Sequence, residues 1–275
     1  MIKIVGIDLD GTLLTDDKQI CERNVDTIRK AIQKGVKIVL CSGRSPDGMR
    51  KELDKLQLRI EGQYGIGLNG GIVFRTIDNH LLHKGHMDEE AARAIITKAR
   101  ELSDEVNLQL YDGSGVYVER WDATTDLYQR VTGSNAHVVP DLMALSGNVV
   151  KIGLFRRGEI DPSFGKILET KAKMTSCLPE RTTAAISAPY LVEFYNETTH
   201  KGAGIAILMK ELGITREETM GIGDLENDIP LLESCGVGIA MQNAVSKVKE
   251  VADYVTTANN NEGGVAEAIE RFVLK

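Results

Sequence analysis

The chain has 275 residues, 42 % of them hydrophobic, which excludes a disordered chain and suits two compact units better than one. A net charge of −7 argues against nucleic-acid binding, because such binders use a basic field to neutralise backbone phosphates. No apolar run approaches the ~20 residues that span a bilayer, and Asp8 interrupts the first apolar stretch too early for a signal-peptide core, so a cytoplasmic address and no membrane partner are expected. From the N-terminus, Ile2 to Ile7 reads as a buried strand bounded by charge. Residues 22–34 place Val25, Ile28 and Ile32 at helical spacing, with Gly35 where a glycine ends a helix. Val36 to Cys41 is a second buried strand, followed by Ser42-Gly43-Arg44 and a helical stretch holding Met49, Leu53 and Leu56. Tyr64 to Asn69 is a third strand, and Ile72 to Phe74 opens a hairpin that turns near Asp78-Asn79. Strands alternating with helices predict parallel βαβ units.

The middle of the chain has another texture. Asp88 is placed to cap a helix carrying Ala92, Ile95, Ile96, Ala99 and Leu102. Strands follow at Leu108–Tyr111 and Val116–Glu119 across the turn Asp112-Gly113-Ser114-Gly115, then at Val149–Phe155, Thr182–Ser187 and Tyr190–Tyr195, with a helix over Ser163–Met174. From Lys201 the first texture returns: a helix to Leu212 stopped by Gly213, the capping-box sequence Thr215-Arg216-Glu217-Glu218, and strands Thr219–Gly223, Val237–Met241 and Tyr254–Thr256. A last helix spans Val265–Leu274. The predicted fold is therefore α/β, a doubly wound Rossmann-like parallel sheet core over 1–83 and 190–275, with an inserted α+β cap domain over 84–189. Cys21, Cys41, Cys177 and Cys235 form no CxxC pair and are expected as buried free thiols.

Asp8-Leu9-Asp10-Gly11-Thr12 directly follows the first strand. Two carboxylates at i and i+2 at a strand end face the crevice beyond the sheet's carboxyl edge, where they repel unless a cation joins them. Mg²⁺ suits them, since it takes hard oxygen ligands and keeps positions for water and substrate phosphate. A second acidic cluster, Gly223-Asp224-Leu225-Glu226-Asn227-Asp228, follows a later strand, where Asp224 can complete the metal site and Asp228 can orient a metal-bound water or a lysine. Ser42-Gly43 offers a hydroxyl and an amide near a helix start, and Lys201-Gly202 opens another helix with an ammonium. Tyr111, Tyr117, Trp121 and Tyr128 in the insertion read as packing residues.

In this order, DxDGT, Ser-Gly-Arg, a lysine and GDxxND resemble the four-motif signature of the haloacid dehalogenase superfamily. The insertion before His200-Lys201-Gly202, together with Asn69-Gly70-Gly71, Met241-Gln242-Asn243-Ala244 and Glu262-Gly263-Gly264-Val265-Ala266, resembles its Cof-type sugar-phosphatase-like subfamily along nearly the whole chain. The resemblance implies a Mg²⁺-dependent phosphatase acting on a small phosphorylated metabolite, sugar phosphates first, through an aspartyl-phosphate. It implies Asp8 as nucleophile and metal ligand, and Asp10 as general acid and base with its carbonyl on the metal. Asp224 becomes the third ligand, supported by Asp228. Ser42, Gly43, Lys201 and Asn227 hold the phosphoryl oxygens. Two other functions remain open on the same residues: a sugar-phosphate phosphomutase, and a phosphate-sensing regulator without turnover. The sequence leaves monomer and homodimer equally open.

Overall fold

The computed structural model describes residues 1–175 and 178–275, so Cys177 lies outside the described residues. The chain divides into two compact units, Met1–His83 with His200–Lys275, and Lys84–Thr199.

The first unit starts with β1 (Ile4–Asp8), α1 (Glu22–Gln33), β2 (Lys37–Cys41), α2 (Arg50–Lys55), β3 (Tyr64–Gly67), β4 (Ile72–Arg75) and β5 (Leu81–Lys84). The second unit holds α3 (Glu89–Glu101), β6 (Val106–Tyr111), β7 (Val116–Val118), α4 (Ala123–Thr132), β8 (Ala136–Val138), β9 (Lys151–Arg156), α5 (Gly165–Thr175), β10 (Thr182–Ala188) and β11 (Leu191–Asn196). The chain then returns with α6 (Lys201–Leu212), β12 (Thr219–Gly223), α7 (Ile229–Ser234), β13 (Val237–Ala240), α8 (Ser246–Val251), β14 (Tyr254–Val255) and α9 (Gly264–Phe272). No helix among the described residues is long and apolar enough to cross a membrane.

The sheet of the first unit runs β14-β13-β12-β1-β2-β3-β4-β5, parallel from β14 through β3 and antiparallel between β3 and β4. Every residue of β1 is buried, because helices cover both faces of a parallel sheet. Ile4, Val39 and Ile66 pack under Ile205 and Leu208 of α6 and Leu231 of α7. By the alternation of strand side chains, Val5 and Ile7 point to the other face. There α1 lies beside α9, and Asn24 Oδ1 accepts from the Ala266 amide at 2.9 Å. Chain order reverses between β1 and β12, since β2 and β3 step one way and β12 to β14 the other. Such a switch point leaves a crevice at the carboxyl ends of the strands. Register aligns those ends: Asp8 pairs with Cys41, and Ile7 with Ile222.

The second unit is a six-stranded sheet, β10-β11-β9-β6-β7-β8, antiparallel except between β7 and β8. One face buries Leu110, Ile152, Leu154, Val192 and Phe194 under Ile95 and Ile96 of α3 and Ile167 of α5. The opposite face carries Tyr111 and Phe155, and Tyr128 of α4 meets both edge-on at 5.8 Å between ring centroids.

Four expectations need correction. The insertion closes after Thr199 and not after residue 189, because β11 pairs with β9 and β10 and so belongs to the second sheet. The third strand stops at Gly67; Asn69 sits in a turn with φ of 58°. Asp88 occupies the N-cap position of α3 without a side-chain capping hydrogen bond. Among the described cysteines, Cys41 and Cys235 are buried free thiols, whereas Cys21 is only half-buried.

Candidate active site

Asp8 ends β1, and Leu13 N and Leu14 N hydrogen-bond back to the Asp8 and Leu9 carbonyls, folding the loop over itself. Gly11 is required at the turn: its φ is +88°, and a Cβ there would come within 2.4 Å of Asp224 Oδ2. Asn243 Nδ2 donates to the Gly11 carbonyl at 2.8 Å, and Asn260 Nδ2 to that of Leu14 at 3.0 Å, so the loop is clamped from the far side of the sheet.

Asp224 follows β12, and its Oδ1 accepts from Thr12 Oγ1 at 2.6 Å. Asp228 sits one turn further on. Its Oδ2 accepts from the amides of Asp224 at 2.9 Å and Leu225 at 3.1 Å, and its Oδ1 accepts from Lys201 Nζ at 2.5 Å. Lys201, the first residue of α6, is almost fully buried and also donates to Asp8 Oδ1. Gly70 lets this helix start so close: its φ is +102°, and a Cβ there would lie 2.1 Å from the His200 carbonyl. Carboxylate oxygens of Asp8, Asp224 and Asp228 lie within 4.8 Å of one another.

Three buried carboxylates thus surround one ammonium. Burial pushes the Asp8 carboxyl well up, with the charge of Asp228 adding to it and Lys201 opposing. Burial likewise pushes Asp224 up to about 6, against the hydrogen bond from Thr12. Lys201 is pushed up despite its own burial, because Asp228 and Asp8 face it. Both oxygens of Asp228 are engaged within the protein, whereas Asp8 Oδ2 and Asp224 Oδ2 have no donor among the described residues. This all-oxygen donor set, short of positive charge, fits a hard cation held by Asp8 and Asp224, with Asp228 fixing the frame.

Asp10 is placed differently. Its carboxylate leaves the cluster and takes a forked contact from Arg44, with Nη2 at 2.7 Å and Nε at 3.1 Å, and a contact from Lys18 Nζ at 2.8 Å. Burial raises its pKa, but Arg44 and Lys18 outweigh that, and the carboxyl is held below its ordinary range. Arg44 is itself buried, with Nη1 3.5 Å from Glu52 Oε1.

Ser42 is buried just past β2, with Oγ accepting from the Arg44 amide at 3.2 Å, and its carbonyl accepts from Asn69 N at 3.0 Å. Gly43 is half-buried beside it, and a Cβ there would stand 3.0 Å from Asn69 Oδ1. Asn227 is exposed in the turn that ends at Asp228. Asp8, Ser42, Gly43, Lys201, Asp224, Asn227 and Asp228 thus all follow strand ends, or open a helix, on one unit. Sequence reasoning gave Lys18, Thr12 and Asn243 no role and left Arg44 open between reaching phosphate and pairing with an acid; the structure pairs it with Asp10. Thr12, Arg44 and Asn243 do lie inside the quoted motifs, whereas Lys18 lies outside them.

A family model described as haloacid dehalogenase-like hydrolase matches residues 5–269. A 5-amino-6-(5-phospho-D-ribitylamino)uracil phosphatase of Bacillus subtilis, YcsE, is 31 % identical over 99 % of this chain and 96 % of its own. A haloacid dehalogenase-like hydrolase from Bacteroides thetaiotaomicron superposes with a TM-score of 0.86 at 28 % identity, covering 98 % of this chain and 99 % of that one. TM0651 from Thermotoga maritima gives a TM-score of 0.83 at 28 % identity, covering 99 % and 98 %.

Proposed function

The chain belongs to the haloacid dehalogenase-like hydrolases and is a phosphatase, and we propose that it hydrolyses small phosphomonoesters, sugar phosphates first among them, with Mg²⁺ and through an aspartyl-phosphate on Asp8. One observation carries this reading: Asp8 is buried at the strand end, with Lys201 donating to its Oδ1 and with carboxylate oxygens of Asp224 and Asp228 within 4.8 Å.

Asp8, Asp224 and the Asp10 carbonyl would hold the metal, which would supply positive charge for the phosphoryl oxygens. Phosphoryl transfer depends mainly on in-line positioning and on neutralising equatorial charge. Lys201 offsets the repulsion between a carboxylate nucleophile and a phosphate dianion. Ser42, the Gly43 amide and Asn227 orient the phosphoryl group. Asp8 attacks phosphorus and the bond to the leaving oxygen breaks, with a proton passing from Asp10 to that oxygen. Water then attacks the aspartyl-phosphate and gives its proton to Asp10. The Asp8–phosphorus bond breaks and inorganic phosphate leaves.

As the structure stands, Asp10 is a carboxylate locked to Arg44 and Lys18, which suits the second step. Service as an acid in the first step requires substrate to loosen that fork. A sugar or sugar-alcohol phosphate is favoured over other small esters because the relative YcsE is named for a phosphoribityl substrate.

The test is phosphate release from a panel of sugar phosphates and an aryl phosphate, with Mg²⁺ and with chelator. Release that requires the metal and vanishes in Asp8→Asn supports the proposal. Interconversion of hexose phosphates without net release would replace it with the phosphomutase.

A further inference from the structure

The second unit contains a cavity of about 390 Å³ built wholly from its own residues and from none of those discussed above. That volume falls in the range of small-molecule sites, ~300–1,000 Å³. Four arginines line it, Arg120, Arg130, Arg156 and Arg157, against one acid, Asp122, in a chain whose net charge is −7.

The hydrogen bonds show which of these charges are already spent. Asp122 is fully engaged: Oδ1 accepts from the amide and hydroxyl of Thr124 at 2.9 and 2.6 Å and from Asn107 Nδ2 at 2.9 Å, while Oδ2 accepts from Arg157 Nε at 2.6 Å. Its negative charge is therefore neutralised locally by Arg157. Arg156 reaches Thr170 Oγ1 at 3.0 Å and Glu105 at 3.4 Å through Nη1, but its buried Nε has no hydrogen-bond partner. The Arg120 carbonyl accepts from Asn107 Nδ2 at 3.2 Å, but the guanidinium groups of the exposed Arg120 and Arg130 have neither an acidic partner nor a hydrogen bond among the described residues. Two exposed arginines thus line one cavity without a counter-charge.

The remaining wall is apolar. Leu127 and Ile160 line it with Tyr190, whose ring stacks on Phe155 at 6.2 Å between centroids and is thereby held in place. Guanidinium forks match the oxygens of phosphate in spacing and number, and a fixed aromatic ring beside them suits a planar or hydrocarbon portion.

We propose that this cavity binds a small ligand bearing a dianionic phosphoryl group and an apolar or ring-shaped remainder, using none of the residues assigned above to phosphate release. Arg120 and Arg130 take the phosphoryl oxygens, and Tyr190, Leu127 and Ile160 cover the remainder. The proposal does not depend on Asp8 being a nucleophile.

Phenylphosphonate carries both features and has no hydrolysable ester. Titration calorimetry of the full chain with Mg²⁺ is expected to show two equivalents bound to wild type, and one to Arg120→Ala/Arg130→Ala. Each single Arg→Ala change weakens the affected equivalent by about tenfold, as loss of one charge-assisted contact implies. Chelator removes the other equivalent and leaves the arginine-dependent one in wild type. Near-ultraviolet circular dichroism of the double variant matching wild type shows that the fold persists. Arg120→Lys/Arg130→Lys restores part of the affinity by returning charge without the fork. One equivalent in wild type that chelator abolishes, or a double variant that still binds two, overturns the proposal.

Discussion

Withdrawing the cation from the acidic cluster is expected to make the stability of the protein fall as pH rises. Burial pushes Asp224 from its ordinary value of 3.8 up to about 6, with Thr12 opposing and Asp228 reinforcing. Between those values the folded protein keeps a proton that the unfolded chain has released, so stability must decline with pH. The contribution is fully present below 3.8 and is lost once pH passes about 6. At about 1.4 kcal/mol per pH unit, the span from 3.8 to about 6 corresponds to about 3 kcal/mol. Asp8, raised by its burial, works in the same direction. For a chain near this size about 2–4 °C accompanies each kcal/mol, so the midpoint in chelator should drop by about 6–12 °C across that range. Carboxylates whose pKa is depressed, such as Glu267 at about 2, act with the opposite sign but only at lower pH. The clean readout is therefore the difference between wild type and Asp224→Asn, melted in chelator from about pH 4.5 to 7.5. The variant should lose the share that Asp224 supplies, about 3 kcal/mol, and keep the share from Asp8. Mg²⁺ at a hundred times its dissociation constant adds about 2.7 kcal/mol. That stabilisation should be large near pH 8 and small near pH 5, where the carboxyls hold protons. Parallel wild-type and Asp224→Asn profiles, or equal stabilisation by Mg²⁺ at both pH values, would refute the reasoning.

Lys201→Met leaves Asp8 and Asp228 facing each other without their ammonium. Phosphate release should fall by at least ~10²-fold, as for loss of a preorganised charge stabiliser, and denaturant titration should show a loss of about 3–5 kcal/mol near pH 8 that shrinks near pH 5. Arg44→Gln removes the fork that holds the Asp10 pKa down. The alkaline limb of kcat/KM against pH, which reports the protonated Asp10 that the first step requires, should move to higher pH, and a limb that stays put would remove Asp10 from the proton-transfer role. Gly11→Ala places a methyl 2.4 Å from Asp224 Oδ2 at a backbone φ of +88°. It should cost about 1–3 kcal/mol in thermal unfolding, and weaken Mg²⁺ dependence of turnover more than it weakens folding.

The parallel core was legible because its evidence is local. Ile4 to Ile7, Ile38 to Cys41 and Met220 to Gly223 are short buried runs, each ended by a polar turn, and a strand buried on both faces needs only such a run. Helix α4 was not foreseen. Its segment carries three threonines, and Thr124, Thr125 and Tyr128 are the buried residues, so hydrophobic periodicity is faint. Its terminal signals were nonetheless present: Asp122 caps the first turn, and Gly133 closes the last in the left-handed conformation. The return boundary was missed for a different reason. Nothing in Leu191–Asn196 says which of two sheets will take it, because strand pairing is decided by residues elsewhere.

The site divides along the same line. Asp8, Ser42, Lys201 and Asp224 could be placed because position at a strand end or helix start already fixes where a side chain comes out. What position could not supply is the pairing of charges across the crevice. Asp10 lies 34 residues from Arg44, and Lys201 lies 193 from Asp8 and 27 from Asp228. These long-range pairs decide protonation, and protonation decides role. Asp8 and Asp10 sit two apart in one motif, yet burial among acids raises the first while an arginine and a lysine lower the second. Two carboxylates of like type thereby diverge, one raised among acids and the other held ionised by its fork, which is the split that the proposed nucleophile and base roles require.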